Sequence, residues 1–188
     1  LSFGHFLAEL LLYFENMKKP KTLSLVIIYG APGAGKTTLA ESLHKELSYT
    51  AHIGADHIKR FISEFREVPT HTEVTLRVID AMTQEYLKNG ISVIVEQGMN
   101  RSQIEGLKII ADKNNAEFFV YRLEASSDVR NERVAERTTR LGKPEILKEV
   151  IDGLTKVFEG NNYPSTQNFD SGKLDVKEKT DLVLKDIL

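Results

Sequence analysis

A short apolar run, "LSLVIIY" (Leu23 to Tyr29), breaks into "GAPGAGKT" (Gly30 to Thr37), and a stretch with Leu39, Leu43 and Leu47 four apart follows. This junction limits the fold more than any other feature of the chain. A run of β-branched and apolar residues without polar alternation predicts a strand buried on both faces, as in a parallel sheet. The glycines predict a tight turn, and the four-residue spacing predicts a helix from about Lys36 to Leu47.

The turn satisfies G-x-x-x-x-G-K-[ST] at every fixed position, between a strand and a helix as the motif requires. Glycines let successive backbone N–H groups turn inward on phosphate oxygens, and the helix start adds its positive dipole end. Gly30, Ala31, Pro32, Gly33, Ala34, Gly35, Lys36, Thr37 and Thr38 are therefore the candidate nucleotide-binding residues. Lys36 would reach the terminal phosphates, and the Thr37 hydroxyl would ligate Mg²⁺.

Strand and helix patterns alternate along the rest of the chain. "TAHIGA" is a weaker strand candidate ending at Asp56, and residues 57–66 read as a short helix before Pro69. The next helix carries Val74, Val78, Met82 and Tyr86 on one stripe and stops at Asn89-Gly90. "ISVIV" (Ile91 to Val95) is a third strand, ending at Glu96. Ser102 with Glu105 has the spacing of a capping box, opening a helix with Ile104, Leu107, Ile110 and Ala111 inward. "AEFFVYRL" is a fourth strand, residues 127–140 an arginine-rich helix, and Pro144 opens a helix running from Ile146 to Phe158 in a 3.6 period. A short strand near Gln167 to Phe169 and a helix capped by Asp175 with Glu178 complete the pattern. Such alternation predicts an α/β domain, a mostly parallel sheet covered on both faces.

Composition narrows the function classes. A chain of 188 residues suits one domain. A net charge of −2 gives no general pull toward nucleic acid or an anionic membrane. With no cysteine there is neither a disulfide nor a thiolate metal site, which fits a reducing cytoplasm. The histidines His5, His44, His52, His57 and His71 lack metal-ligand spacing. Residues 1–16 form a poor signal peptide, and their apolar run is too short to span a bilayer. They read either as an extension ahead of Met17, leaving a domain of residues 17–188, or as a helix docking Leu7, Leu10, Leu11 and Phe14; both readings stay open.

A guanine-specific switch would carry Asn-Lys-x-Asp at a strand end, which Asp112-Lys-Asn-Asn115 does not match, and a hexameric motor would need a longer chain with adjacent acids after a strand. Asp56, at a strand exit about twenty residues after Lys36, lies where open α/β sheets place ligand chemistry. It suits the deprotonation of an acceptor hydroxyl, and equally a helix N-cap; the two roles are compatible.

The ordered set Gly30–Thr37, "GADHIKR", "SVIVEQG" and "RVAER" resembles the small P-loop kinases of the zeta-toxin, chloramphenicol-phosphotransferase and polynucleotide-kinase-like group (AAA-domain P-loop kinases), over essentially Leu23 to Leu188. The resemblance implies a three-layer α/β/α sandwich with a five-stranded parallel sheet in the order 2-3-1-4-5. It implies ATP and Mg²⁺ as cofactors and a small-molecule acceptor. Asp56 would activate the acceptor hydroxyl, Lys59 or Arg60 would contact the acceptor, and Glu96 would act near the acceptor or near Mg²⁺, directly or through water. A lid around residues 127–144 would bring Arg133 and Arg137 to the phosphates and base.

Arg130, Arg133, Arg137 and Arg140 indeed fall on one face of their helix at steps of three, four and three. The same face could instead be solvated and laced by Glu132 and Glu136. The expectation is a kinase passing the γ-phosphoryl group of ATP to a hydroxyl. A nucleotide-responsive module without an acceptor and a toxin-type nucleotide-sugar kinase remain as rivals.

Overall fold

The computed structural model describes residues 18–140, 153, 155 and 163–188, the side chains of residues 137, 138 and 140 excepted. The readings made for residues 1–16, and for the helix opened by Pro144 apart from Gly153 and Thr155, lie outside the described residues. The elements in chain order are β1 (Ser24–Gly30), α1 (Lys36–Glu46), β2 (Thr50–Gly54), α2 (Ala55–Lys59), a 3-10 turn (Phe65–Glu67), α3 (His71–Lys88), β3 (Ser92–Gln97), α4 (Arg101–Lys113), β4 (Glu117–Glu124), α5 (Ser127–Arg140), β5 (Gln167–Asp170) and α6 (Val176–Ile187).

The five strands form one sheet in the order β2-β3-β1-β4-β5, every pair parallel, as the resemblance implied. All seven residues of β1 are buried, because helices cover both faces of the central strand. Strand alternation divides them. Leu25, Ile27 and Tyr29 join Val93 and Val95 of β3 against Ile79 and Leu87 of α3 and Ile104, Leu107 and Ala111 of α4. Val26 and Ile28 join Ile94, Tyr121 and Leu123 against Leu39 and Leu43 of α1 and Val183, Leu184 and Ile187 of α6. Parallel pairing brings all strand carboxyl ends to one edge, where the connecting loops carry the candidate site.

Three local expectations need correction. The helix expected over 57–66 ends at Lys59; Glu64 takes a left-handed φ of 51°, which no continuing helix permits. Ile58, Phe61, Ile62 and Phe65 keep helical spacing, yet Phe61 is 79% exposed, so that spacing builds no inward stripe. In α3 the fully buried row is Thr75, Ile79, Thr83 and Leu87, while Val78, Met82 and Tyr86 flank it half-buried. The threonines disguise this row: Thr75 is buried because its hydroxyl donates to the His71 carbonyl at 2.6 Å. The cap of α4 is Asn100 with Gln103, not Ser102 with Glu105. Asn100 Oδ1 accepts from the Gln103 N–H at 3.0 Å, and Gln103 Oε1 accepts from the Asn100 N–H at 2.9 Å. Glu105 instead pairs with Arg101. The Asp175–Glu178 box of α6 is present as expected. Among the described residues no helix is long and apolar enough to cross a membrane.

Candidate active site

The cradle begins where β1 leaves the sheet. A Cβ on Gly30 would sit 2.2 Å from the Leu123 carbonyl oxygen of β4, so only glycine lets the turn start this close to its neighbour. Gly33, at a φ of +79°, meets α5: a Cβ there would lie 2.7 Å from the Arg130 carbonyl oxygen. Gly35 stands at the N-cap of α1 and provides no side-chain acceptor for the first-turn N–H groups, which suits them to an anion. Lys36 Nζ folds over the turn and donates to the Ala31 carbonyl at 3.0 Å.

Three neighbouring strand ends then bring together groups far apart in sequence. The Thr37 hydroxyl donates to Glu96 Oε1 at 3.2 Å. Glu96, buried at 5% exposure, lies in register between Ile28 of β1 and Gly54 of β2. A Cβ on Gly54 would come within 2.7 Å of Glu96 Oε1 and 3.2 Å of His57 Nδ1, so the missing side chain makes room for the carboxylate. Thr37 and Glu96 are hard oxygen donors side by side, the kind that Mg²⁺ takes while phosphates and water complete its shell. Among the described residues no group of three or more His, Cys, Asp or Glu could hold a metal ion by itself.

Asp56 follows β2 at the same edge, exposed on the first turn of α2. The N-cap of that helix is Gly54, which corrects the capping role considered for Asp56. Lys59 closes α2, half-buried, and the exposed Arg60 is its C-cap.

The arginine face divides. Arg130 is 4% exposed and structural: its guanidinium donates to the Ala125 carbonyl and the hydroxyls of Ser127 and Thr155. Arg133 faces the cradle, its Nη1 set 3.5 Å from the Gly33 carbonyl and its Nη2 donating to the Ser171 carbonyl at 2.9 Å. The side chains of Arg137 and Arg140 lie outside the described residues. A cavity of about 280 Å³ opens beside the cradle, lined in part by Tyr29, Gly30, Ala31, Glu124 and Arg130.

Sequence reading missed the partner of Arg133 on the far side. Lys179 of α6 is 6% exposed, with Nζ donating to the Leu174 carbonyl at 2.9 Å and to Ser171 Oγ at 3.4 Å. Burial, then the charge of Arg133, holds its pKa below the usual lysine value. Gly33, Arg133, Ser171 and Lys179 thus form one chain of contacts from the cradle to the loop after β5. A lysine at helical spacing reads as solvated, so the sequence carried no sign of this.

Residues 25–160 match the family described as AAA domain. The uridylate kinase of Saccharomyces cerevisiae is 23% identical over 184 residues, covering 89% of this chain and 88% of that protein. A gluconokinase from Sinorhizobium meliloti 1021 superposes with a TM-score of 0.65 at 17% identity, over 87% of this chain and 91% of its own. The APS kinase of Mycobacterium tuberculosis, solved with AMPPNP and APS, gives 0.63 at 15% identity, over 88% and 98%. At such identities the two structures speak for the fold alone. The family match covers well over half of the chain and includes the cradle, Asp56, Glu96 and the arginine helix: the chain belongs to the AAA domain family, among its small P-loop kinases.

Proposed function

We propose that the protein is an ATP- and Mg²⁺-dependent kinase that transfers the γ-phosphoryl group to a hydroxyl of a small molecule. The observation that carries this reading is the meeting of Lys36, the Thr37–Glu96 pair and Asp56 at one sheet edge. A plain nucleotide-binding turn needs no exposed carboxylate after β2, the strand beyond β3.

In this reading Lys36 exchanges the Ala31 carbonyl for the terminal phosphates, and the backbone N–H groups of the turn hold the β-phosphate side. Thr37 and Glu96 hold Mg²⁺, which supplies positive charge to the phosphate oxygens when bound. Asp56 orients the acceptor hydroxyl and takes its proton as the oxygen bonds to the γ-phosphorus. The bond from that phosphorus to the β–γ bridging oxygen breaks, and ADP leaves with the electron pair. Arg133, and Arg137 one turn further, offset charge spreading over the transferred group. Lys59 or Arg60, at the end of α2, contacts the acceptor.

Incubation with MgATP and a panel of hydroxyl metabolites tests the proposal. The expected result is ADP formed in step with a phosphorylated product. ADP with free phosphate alone, across the whole panel, would replace the kinase reading with a nucleotide-responsive ATPase.

A further inference from the structure

A second cavity, of about 210 Å³, lies between α3 and α4 at the carboxyl end of β3. Leu76 and Asp80 of α3, Gln97 of β3, and Ser102, Gln103 and Gly106 of α4 line it. We propose that this cavity seats the body of the acceptor, and that this body is a compact uncharged ring bearing hydroxyl or amide groups. The word acceptor rests on the kinase reading; the chemistry of the cavity stands apart from it.

Gln97 is the central observation. Strand alternation turns its side chain away from the Glu96 side of the sheet and into the α3–α4 layer. The residue is 7% exposed, and its amide makes no side-chain hydrogen bond among the described residues. The amide lines the cavity, where it offers a donor and an acceptor to whatever enters. Its register partner is Tyr29, the residue immediately before the cradle opens. The cavity therefore adjoins the strand that delivers the phosphates.

The other polar groups complete a neutral recognition set. Gln103 commits Oε1 to the cap of α4, which leaves its amide N–H groups as donors. Ser102 donates its hydroxyl to Asn100 Oδ1 at 2.8 Å and keeps acceptor capacity. Among the described residues no lysine, arginine or histidine lines the space, and the Asp80 carboxyl would repel a second anion. Burial raises the pKa of Asp80, as expected for a carboxyl with little to offset its charge. A phosphate or carboxylate is thus disfavoured, and a hydroxylated or amide-bearing ring is matched. The volume is below the ~300–1,000 Å³ typical of drug-sized ligand pockets, which fits one ring, leaving the reacting hydroxyl outside toward the edge.

Gly106 keeps the space open. It sits in mid-helix, where glycine costs about 1 kcal/mol relative to alanine. No heavy atom lies within 4 Å of the place its Cβ would take, so neither packing nor backbone geometry demands glycine there. Gly106 lines the cavity, so a larger side chain there has open space to occupy at its wall.

Gly106→Leu therefore separates the outcomes. The side-chain amide resonances of Gln97 and Gln103 would be followed by NMR against glucose, uridine and glucose 6-phosphate, with transfer kinetics measured in parallel. Glucose or uridine is expected to shift both amides in the wild type, which of the two deciding between a sugar and a nucleobase source. The phosphate ester is expected to bind no better than glucose. Gly106→Leu should abolish the shifts and raise the acceptor KM at least tenfold, with the melting temperature and ADP affinity kept. Unshifted amides with both neutral rings, or an acceptor KM untouched by Gly106→Leu, would overturn the proposal while leaving the kinase reading intact. Shifts together with ADP and free phosphate alone across the whole hydroxyl-metabolite panel would keep the neutral-ring site and overturn the kinase reading.

Discussion

The Thr37 hydroxyl on the first turn of α1 donates to Glu96 Oε1 on β3 across 3.2 Å, so the cradle after β1 is tied to the strand beside it. The tie joins two residues 59 positions apart, and Gly54 on the far side leaves the carboxylate its space. Glu96→Gln keeps the size and an accepting oxygen but removes the charge. It is expected to raise the Mg²⁺ concentration for half-maximal transfer by ~10–100-fold, the usual loss when a metal-supporting group is changed. Magnesium titrations of both proteins at fixed ATP measure this. Superimposable curves would remove Glu96 from the metal site.

Asp56 tests the acceptor side separately. Asparagine has the same size and cannot take a proton. Asp56→Asn should leave MgATP affinity within a few-fold and lower transfer by ~10²–10⁴. Because Gly54, not Asp56, caps α2, little change in melting temperature is expected. Full activity in this variant would show that another group activates the hydroxyl.

The two described arginines of α5 should fail in different ways. Arg130 is buried with three oxygen partners, so Arg130→Ala strands polar groups in the interior and should cost about 2–4 kcal/mol of stability. Arg133 is half-buried and bonds backbone carbonyls on the cradle and on the loop after β5. Arg133→Ala should raise the KM for ATP about tenfold with a smaller loss of melting temperature. Urea unfolding together with ATP kinetics separates the two, and equal stability losses with unchanged KM would make both arginines merely structural.

The legible parts of the sequence were those where one physical cause acts locally. The largely apolar run of β1 announced a covered parallel strand, and the glycine spacing announced the cradle. Alternation of strands and helices announced the layers. Other features depend on partners that sequence spacing does not reveal. Thr75 and Thr83 are buried on α3 although they read as polar, and Thr75 is satisfied within its own helix. The opening of α4 read as capped by Ser102 with Glu105, yet Asn100 and Gln103, two residues earlier, form the cap. Arg130 and Arg133 share one face of α5, yet Thr155 and Ser171, distant in sequence, give them different work. Gln97 carried no reading of its own in the sequence, and α3 and α4 flank it in the fold.

The last prediction concerns acid. His52 of β2 lies between His44 of α1 and His57 of α2, with ring centroids 6.0 and 6.3 Å away. Its Nε2 is buried without a hydrogen-bond partner among the described residues. Burial first, then repulsion by His44 and His57, lowers its pKa from 6.5 to about 4, and Glu41 opposes this only in part. The unfolded chain therefore binds a proton at pH values where the folded chain does not. Stability is fully present above about pH 6.5 and is lost as pH falls toward about 4. At this half-buried ring, solvent screening leaves an expected loss of about 1–2 kcal/mol. His52→Leu removes both the proton site and the unpaired nitrogen. It should be no less stable than the wild type at pH 7 and should lose less stability between pH 6.5 and 4.5. Urea midpoints across that range measure the difference, and parallel curves for the two proteins would mean that His52 titrates as it does in the unfolded chain.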